Sequence, residues 1–195
     1  MEYTLETYEW DNTWIEKSNE TTAKRVLYIG DSISCGTRTA LNAISDGKIL
    51  FDGFATSKAL DNPYFFPGLS LFARQESSRN AVIFNNGLHG WHLDEEEYSR
   101  LYNEFLYKLI NEFSDTLIIP VLTTFVTNRS YHNDRVIKRN AIVKELSDSK
   151  KLPIVNLYTA SEKNRHLQSA DGVHFTESGY RVLANEVLSE LKGLI

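Results

Sequence analysis

The sequence predicts a three-layer α/β/α sandwich built on a five-stranded parallel sheet. Three observations carry that prediction. Short apolar, β-branched runs alternate with longer stretches whose apolar residues recur every three or four positions. Strands that alternate with helices in this way form parallel sheets covered on both faces. The length of 195 residues, with 42% hydrophobic and 24% charged residues, suits a single domain with a sizeable core.

Residues 1–22 form a polar arm that carries Tyr8, Trp10 and Trp14. Those rings are too much apolar surface for a free tail, so the arm is expected to pack on the single domain of residues 23–195. Residues 24–29 read as the first strand, and 34–45 as a helix with Ala40, Leu41 and Ile44 on one face. Residues 48–54 read as the second strand, and Pro63, Pro67 and Gly68 punctuate the loop that follows. A helix over 69–76 and a third strand over 81–84 come next. The clearest helix covers 94–113, where Tyr98, Leu101, Phe105 and Leu109 follow an acidic start that suits the helix dipole. Residues 116–122 form a fourth strand, with Pro120 suited to an edge or an end. A helix over 133–146, a fifth strand over 152–157 and a last helix over 176–191, with Thr176 as N-cap, complete the chain. This order brings Gly30-Asp31-Ser32, Asn85-Asn86-Gly87 and Thr123-Thr124 to the carboxyl edge of the sheet. Open α/β sheets bind ligands there.

Composition narrows the function. A net charge of −5 argues against a nucleic-acid partner, which would require a basic face. One cysteine, Cys35, excludes an intrachain disulfide and a four-cysteine zinc cluster. No run of about 18 apolar residues is available to insert into a membrane. The start Met-Glu-Tyr-Thr-Leu-Glu has neither a basic nor an apolar signal segment, so a cytoplasmic location is expected. Oligomeric state has no sequence signal.

A serine hydroxyl is a weak nucleophile unless a base stands within hydrogen-bond reach and a third group orients that base. Ser32 follows the exit of the first strand. Near the other end of the chain stands Asp171-Gly172-Val173-His174, just ahead of the last helix. An Asp three residues before a His in such a turn can set its carboxylate beside Nδ1 and leave Nε2 facing a serine. Gly172 lets the turn tighten. Alone, each piece has a plainer reading: Ser32 as the N-cap of the next helix, and Asp-x-x-His as a solvated cap.

Together the pieces are more specific. The first strand with Gly30-Asp31-Ser32-Ile33-Ser34 resembles the first block of the SGNH hydrolases, also called the GDSL esterase/lipase superfamily. Asp171-Gly172-Val173-His174-Phe175, followed by Ser178-Gly179-Tyr180, resembles their last block. The resemblance runs over residues 24–190 and is sharp at those two ends. It implies a flavodoxin-like fold, with Ser32 as nucleophile, His174 as general base and Asp171 as orienting acid. It also implies an oxyanion hole that includes the backbone N–H of Ser32. The middle blocks differ. Members usually carry a Gly after the second strand and Gly-x-Asn-Asp after the third. Here the third exit reads Phe84-Asn85-Asn86-Gly87-Leu88-His89-Gly90-Trp91, which is similar to a variant branch with Asn-Asn-Gly-Leu-His. Asn86 is the expected side-chain oxyanion donor, with Asn85 its rival. Asn85 and His89 are expected to touch substrate. Residues 55–63 lack glycine, so a backbone N–H within 57–61 is left to complete the hole.

Other residues have plainer roles. His89 and His92 form H-x-x-H, but no helix and no third ligand are evident there, so no metal is expected. Cys35 is expected to be buried in the first helical turn rather than reactive. Trp91 reads as core. Thr123 and Thr124 suit either substrate contact or a loop cap. The polar stretch 128–134, with Arg129, Tyr131 and His132, reads as a solvated loop or a specificity lid. No paired carboxylates of a glycosidase are visible.

The resemblance implies a serine esterase that needs no cofactor and acts on a small-molecule or carbohydrate ester. Without a long apolar insertion to cap a lipid pocket, a short acyl group is favoured, with acetyl on a sugar preferred by analogy. Two alternatives stay open. One is a non-catalytic carbohydrate- or ligand-binding module on the same scaffold, motivated by the missing Gly-x-Asn-Asp. The other is a phosphate or flavin binder, for which residues 32–37 are a thin match and Asp31 would repel the anion.

Overall fold

The computed structural model describes residues 3–76, 78–128 and 132–195. Strands β1 (Asp11–Trp14), β2 (Lys24–Gly30), β3 (Ile49–Thr56), β4 (Ala81–Phe84) and β5 (Leu117–Pro120) form one sheet in the order β1-β3-β2-β4-β5. Strands β3, β2, β4 and β5 are mutually parallel, and β1 lies antiparallel on β3 at the edge. Among the described residues the α-helices are α1 (Ser32–Ile44), α2 (Phe65–Ala73), α3 (Glu95–Glu112), α4 (Asn133–Lys150), α5 (Leu157–Lys163) and α6 (Glu177–Leu191). The α/β sandwich with a mostly parallel five-stranded sheet is the predicted class.

The fifth strand of the sheet is not the expected 152–157. Residues 152–157 do not form a ladder. They meet the sheet through a single parallel bridge, Val121 to Val155, and Leu157 already starts α5. Pro153 has no N–H to give a ladder, so pairing beside β5 reduces to Val155 N–H on Pro120 O and Leu122 N–H on Val155 O. The fifth strand is instead β1, from the arm. All four of its residues are exposed, as suits a polar edge strand, and so it has no apolar alternation to betray it.

The central strands alternate between two cores. Val26 and Tyr28 of β2, with Phe51, Ile83 and Ile119, face α1 and α6. Leu27 and Ile29, with Val82, Phe84 and Ile118, face α2, α3 and α4. Burying both faces explains why these strands read as continuous apolar runs. Each fully buried Leu, Ile or Phe contributes about 1.5–3 kcal/mol. Beyond β1 the arm continues to Arg25, whose guanidinium binds the carbonyls of Glu16, Lys17 and Glu20 and the buried Asp52 carboxylate at 2.6 Å. Among the described residues no helix is long and apolar enough to cross a membrane.

Candidate active site

The site forms where β2 ends. Asp31, not Ser32, is the N-cap of α1: its side chain is buried and accepts the Ile33 N–H at 2.9 Å. Capping is therefore done by the neighbour, and the Ser32 hydroxyl is free for another partner. That partner is His174, whose Nε2 lies 2.8 Å from Ser32 Oγ. The same imidazole presents Nδ1 to Asp171 Oδ2 at 2.6 Å.

The Asp171 turn is built for this. Its Oδ1 accepts the N–H groups of Val173 and His174, both at 2.9 Å. Gly172 sits at φ +70, and a Cβ there would lie 2.6 Å from Thr127 Oγ1 and 2.7 Å from Asn128 N. The Gly172 carbonyl accepts from both Thr127 and Asn128 N–H, which stitches the turn to the loop after β5. The Val173 N–H, then the His174 bond, hold the Asp171 carboxyl down at about 2. Asp171 and His174 remain open to solvent, with side chains 47% and 41% exposed. Thr176 caps α6 through Gly179 N–H, as its position predicts.

The exit of β4 lies beside the end of β2, where Asn85 N–H donates to Ile29 O at 3.0 Å, and it separates the two asparagines. Asn85 Nδ2 donates to Val121 O at 2.8 Å and to Thr123 Oγ1 at 3.0 Å. Both N–H donors of its amide are spent on the β5 exit, which leaves only the Oδ1 acceptor for the substrate contact expected of Asn85. Asn86 Nδ2 makes one bond, to the Lys58 carbonyl at 3.0 Å, and has a second N–H to offer. Tyr98 Oη binds the Asn86 carbonyl at 2.6 Å. Gly87 is required by close approach, since a Cβ would fall 1.8 Å from Thr123 Oγ1. His89 is half-buried beside Glu6, with Nδ1 3.6 Å from Oε1, and its ring meets Trp10 edge-on. At the β3 exit, the N–H groups of Ser57 and Lys58 are taken by Trp10 O and Thr56 Oγ1.

Several expected roles are resolved by packing. Thr123 is a buried brace, gripped through its backbone N–H and C=O by the Asn140 amide. Burial pushes the Cys35 thiol up, away from the reactive thiolate. His92 pairs with Asp61 at 2.9 Å. No group of three or more metal-binding side chains occurs among the described residues. Of the three residues named for the 128–134 loop or lid, Arg129 and Tyr131 lie outside the described residues, and His132 is the N-cap position of α4.

Sequence reasoning missed Arg139. This fully buried residue of α4 donates to the carbonyls of Gly87, His89 and Gly90 at 3.1, 2.7 and 2.6 Å. Its guanidinium sits 4.5 Å from the ring centres of both Trp91 and Tyr98. Arg135, one turn earlier, holds the Trp91 and Leu93 carbonyls. The only sequence signal was two arginines on a helix otherwise expected to be amphipathic.

Fold and corner together define an SGNH-type α/β/α architecture. No protein-family model matches the chain, and no curated protein matches it. Solved structures do. A member of the lipolytic G-D-S-L family from Veillonella parvula superposes with a TM-score of 0.67 at 20% identity, covering 88% of this chain and 100% of that one. The C-terminal catalytic domain of peptidoglycan O-acetyltransferase A from Streptococcus pneumoniae, solved with a methylsulfonyl adduct, gives 0.67 at 17%, with 88% and 94% covered. An acetyl xylan esterase, AlAXEase, gives 0.64 at 15%, with 85% and 98% covered. The chain has the SGNH hydrolase fold.

Proposed function

We propose that this chain is a serine ester hydrolase whose triad is Ser32, His174 and Asp171. One observation carries the reading: a continuous relay from Ser32 Oγ through His174 to Asp171, at 2.8 and 2.6 Å, on a helix that Asp31 already caps. With Nδ1–H given to Asp171, Nε2 is the free base. It takes the Ser32 proton as Oγ attacks the ester carbonyl, then returns the proton to the leaving alcohol. Water, activated by the same nitrogen, hydrolyses the acyl-enzyme.

The tetrahedral oxyanion is held by the Ser32 N–H, at the positive end of α1, and by the second N–H of Asn86. The pairing of Asp171 with His174 stabilises the imidazolium that forms midway. The substrate class is a short acyl ester, acetyl on a carbohydrate in the preferred case. The names of two similar structures, an acetyl xylan esterase and a peptidoglycan O-acetyltransferase, support that choice.

The test is incubation with a fluorophosphonate probe, followed by mass spectrometric location of the adduct, with His174→Ala alongside. Labelling at Ser32 that His174→Ala abolishes is the expected result. A folded protein that takes no label would instead favour a binding module on this scaffold. A screen of acetylated sugars against longer acyl esters then sets the acyl length.

A further inference from the structure

We infer that the N-terminal strap, residues 6–11, is a positioning element of the catalytic site that sets the Asn86 amide and the loop behind it. The inference rests on the reading of Ser32 as nucleophile and Asn86 as oxyanion donor. Covering the edge of the sheet requires only the β1 ladder, Asp11 to Trp14 on β3. The strap makes a second set of bonds, mostly ahead of that ladder, and each lands on a loop that borders Asn86.

Trp10 uses both of its backbone groups. Its carbonyl accepts Ser57 N–H at 3.1 Å and Thr56 Oγ1 at 3.1 Å, and its N–H donates to Ser57 Oγ at 2.9 Å. Next to it, Lys58 Nζ is gripped by both carboxylate oxygens of Asp11 at 2.8 Å. The Lys58 carbonyl between these anchors is the acceptor for Asn86 Nδ2. Asn86 Oδ1 is buried with no hydrogen-bond partner, so the Lys58 carbonyl is what orients the amide. On the far side of the loop, Glu6 Oε1 accepts the Gly90 N–H at 2.8 Å. Arg139 pulls the Gly87, His89 and Gly90 carbonyls one way, and Glu6 takes a backbone N–H that points the other way. Loop 87–90 is thus held from both sides.

Loss of the half-buried Lys58–Asp11 pair and of the acceptor for Gly90 N–H will cost some stability, so the effect that identifies a positioning role is the one on geometry. A donor that acts on the transition state is sensitive to placement, and a displacement near 1 Å costs up to about 100-fold in rate. The strap's signature is therefore a loss in kcat that vanishes once Asn86 is gone.

The experiment compares Glu6→Ala/Asp11→Ala with the parent, in the full chain, using 4-nitrophenyl acetate and fluorophosphonate labelling. Thermal unfolding and near-ultraviolet dichroism monitor the fold. The same pair of substitutions is made in Asn86→Ala, with Asn86→Ser as a second background that keeps a donor for the Lys58 carbonyl. The expected result is a kcat about 10- to 100-fold lower with KM little changed in a protein that stays folded, a lowered thermal midpoint that is the same with and without Asn86, and no further loss of kcat in either Asn86 background. Glu6→Gln, which keeps an acceptor for the Gly90 N–H, should retain the Glu6 share of the rate. Undiminished kcat in the folded double variant, or an equal loss with and without Asn86, overturns the inference and leaves the esterase reading in place. A parent chain that neither turns over the ester nor labels at Ser32 overturns the reading itself.

Discussion

At the Ser32 corner the turns are shaped by neighbours, whereas at residues 86–93 the loop is shaped by residues far away in sequence. Asp31 binds an N–H two residues on, and Asp171 binds groups two and three residues on. The Gly172 carbonyl is also tied to the loop after β5, and Ser32 meets His174 across 142 positions because the sheet brings the first and last helices side by side. In the loop after β4, Glu6 reaches Gly90 across 84 positions, and Arg139 reaches the same residue across 49. Local bonds make a motif that can be read as a short string. Distant bonds are recorded in no local string, so the Asn86 amide proposed for the oxyanion comes without a Gly-x-Asn-Asp block beside it.

The largest effects test the local corner. Ser32→Ala or His174→Ala should each lower kcat by about 10⁶-fold, and the double variant should be no worse than either, because the two act as a unit. Losses that add would break the relay. Asp171→Asn keeps an acceptor for the Val173 and His174 N–H groups but favours the wrong imidazole tautomer. A loss of about 10⁴-fold in kcat is expected. Near-parent turnover would mean that solvent, to which Asp171 is open, orients the imidazole unaided.

The next effects test the loop after β4. Asn86→Ala should cut kcat about 100- to 1,000-fold while Ser32 still labels slowly, and Asn85→Ala should act on stability rather than on rate. Equal rate losses would return Asn85 to the site. Arg139→Met orphans three carbonyls at about 1–3 kcal/mol each, offset in part by relief of a buried charge. A net destabilisation of about 3 kcal/mol in urea unfolding is expected. An unchanged midpoint would show that the loop holds itself.

The smallest effect is on pH. Asp171 has a folded value of about 2, below its unfolded value of 3.8. The stability it adds is complete above 3.8 and is lost as pH falls through about 2, so the difference in midpoint between parent and Asp171→Asn should narrow over that window. The acid limb of kcat/KM, by contrast, should not lie there, because Asp171 stays ionised down to about 2. A limb near 2 would assign it to the carboxylate.

The sequence by itself determined whatever is encoded within a few residues. The Thr176 cap, the tight Gly172 turn and the alternation of buried strands with helices all follow from short-range bonds and periodicity, and all are legible, whereas the cap of α1 falls on Asp31, one residue before the Ser32 that the sequence offers for it. It also named Ser32, His174 and Asp171, which the fold brings within hydrogen-bond reach. The tertiary structure decided the rest. The exposed, polar residues 11–14 became the fifth strand because β3 had an unpaired edge. Residues 152–157, apolar but interrupted by Pro153, could form only a bridge. Asn85 and Asn86 are adjacent and chemically identical in sequence. They differ because the peptide geometry turns one amide toward the β5 exit and the other toward Lys58. That division depends on Glu6, Trp10, Asp11 and Arg139, whose partners lie some 46 to 84 positions away, where no local pattern can record them.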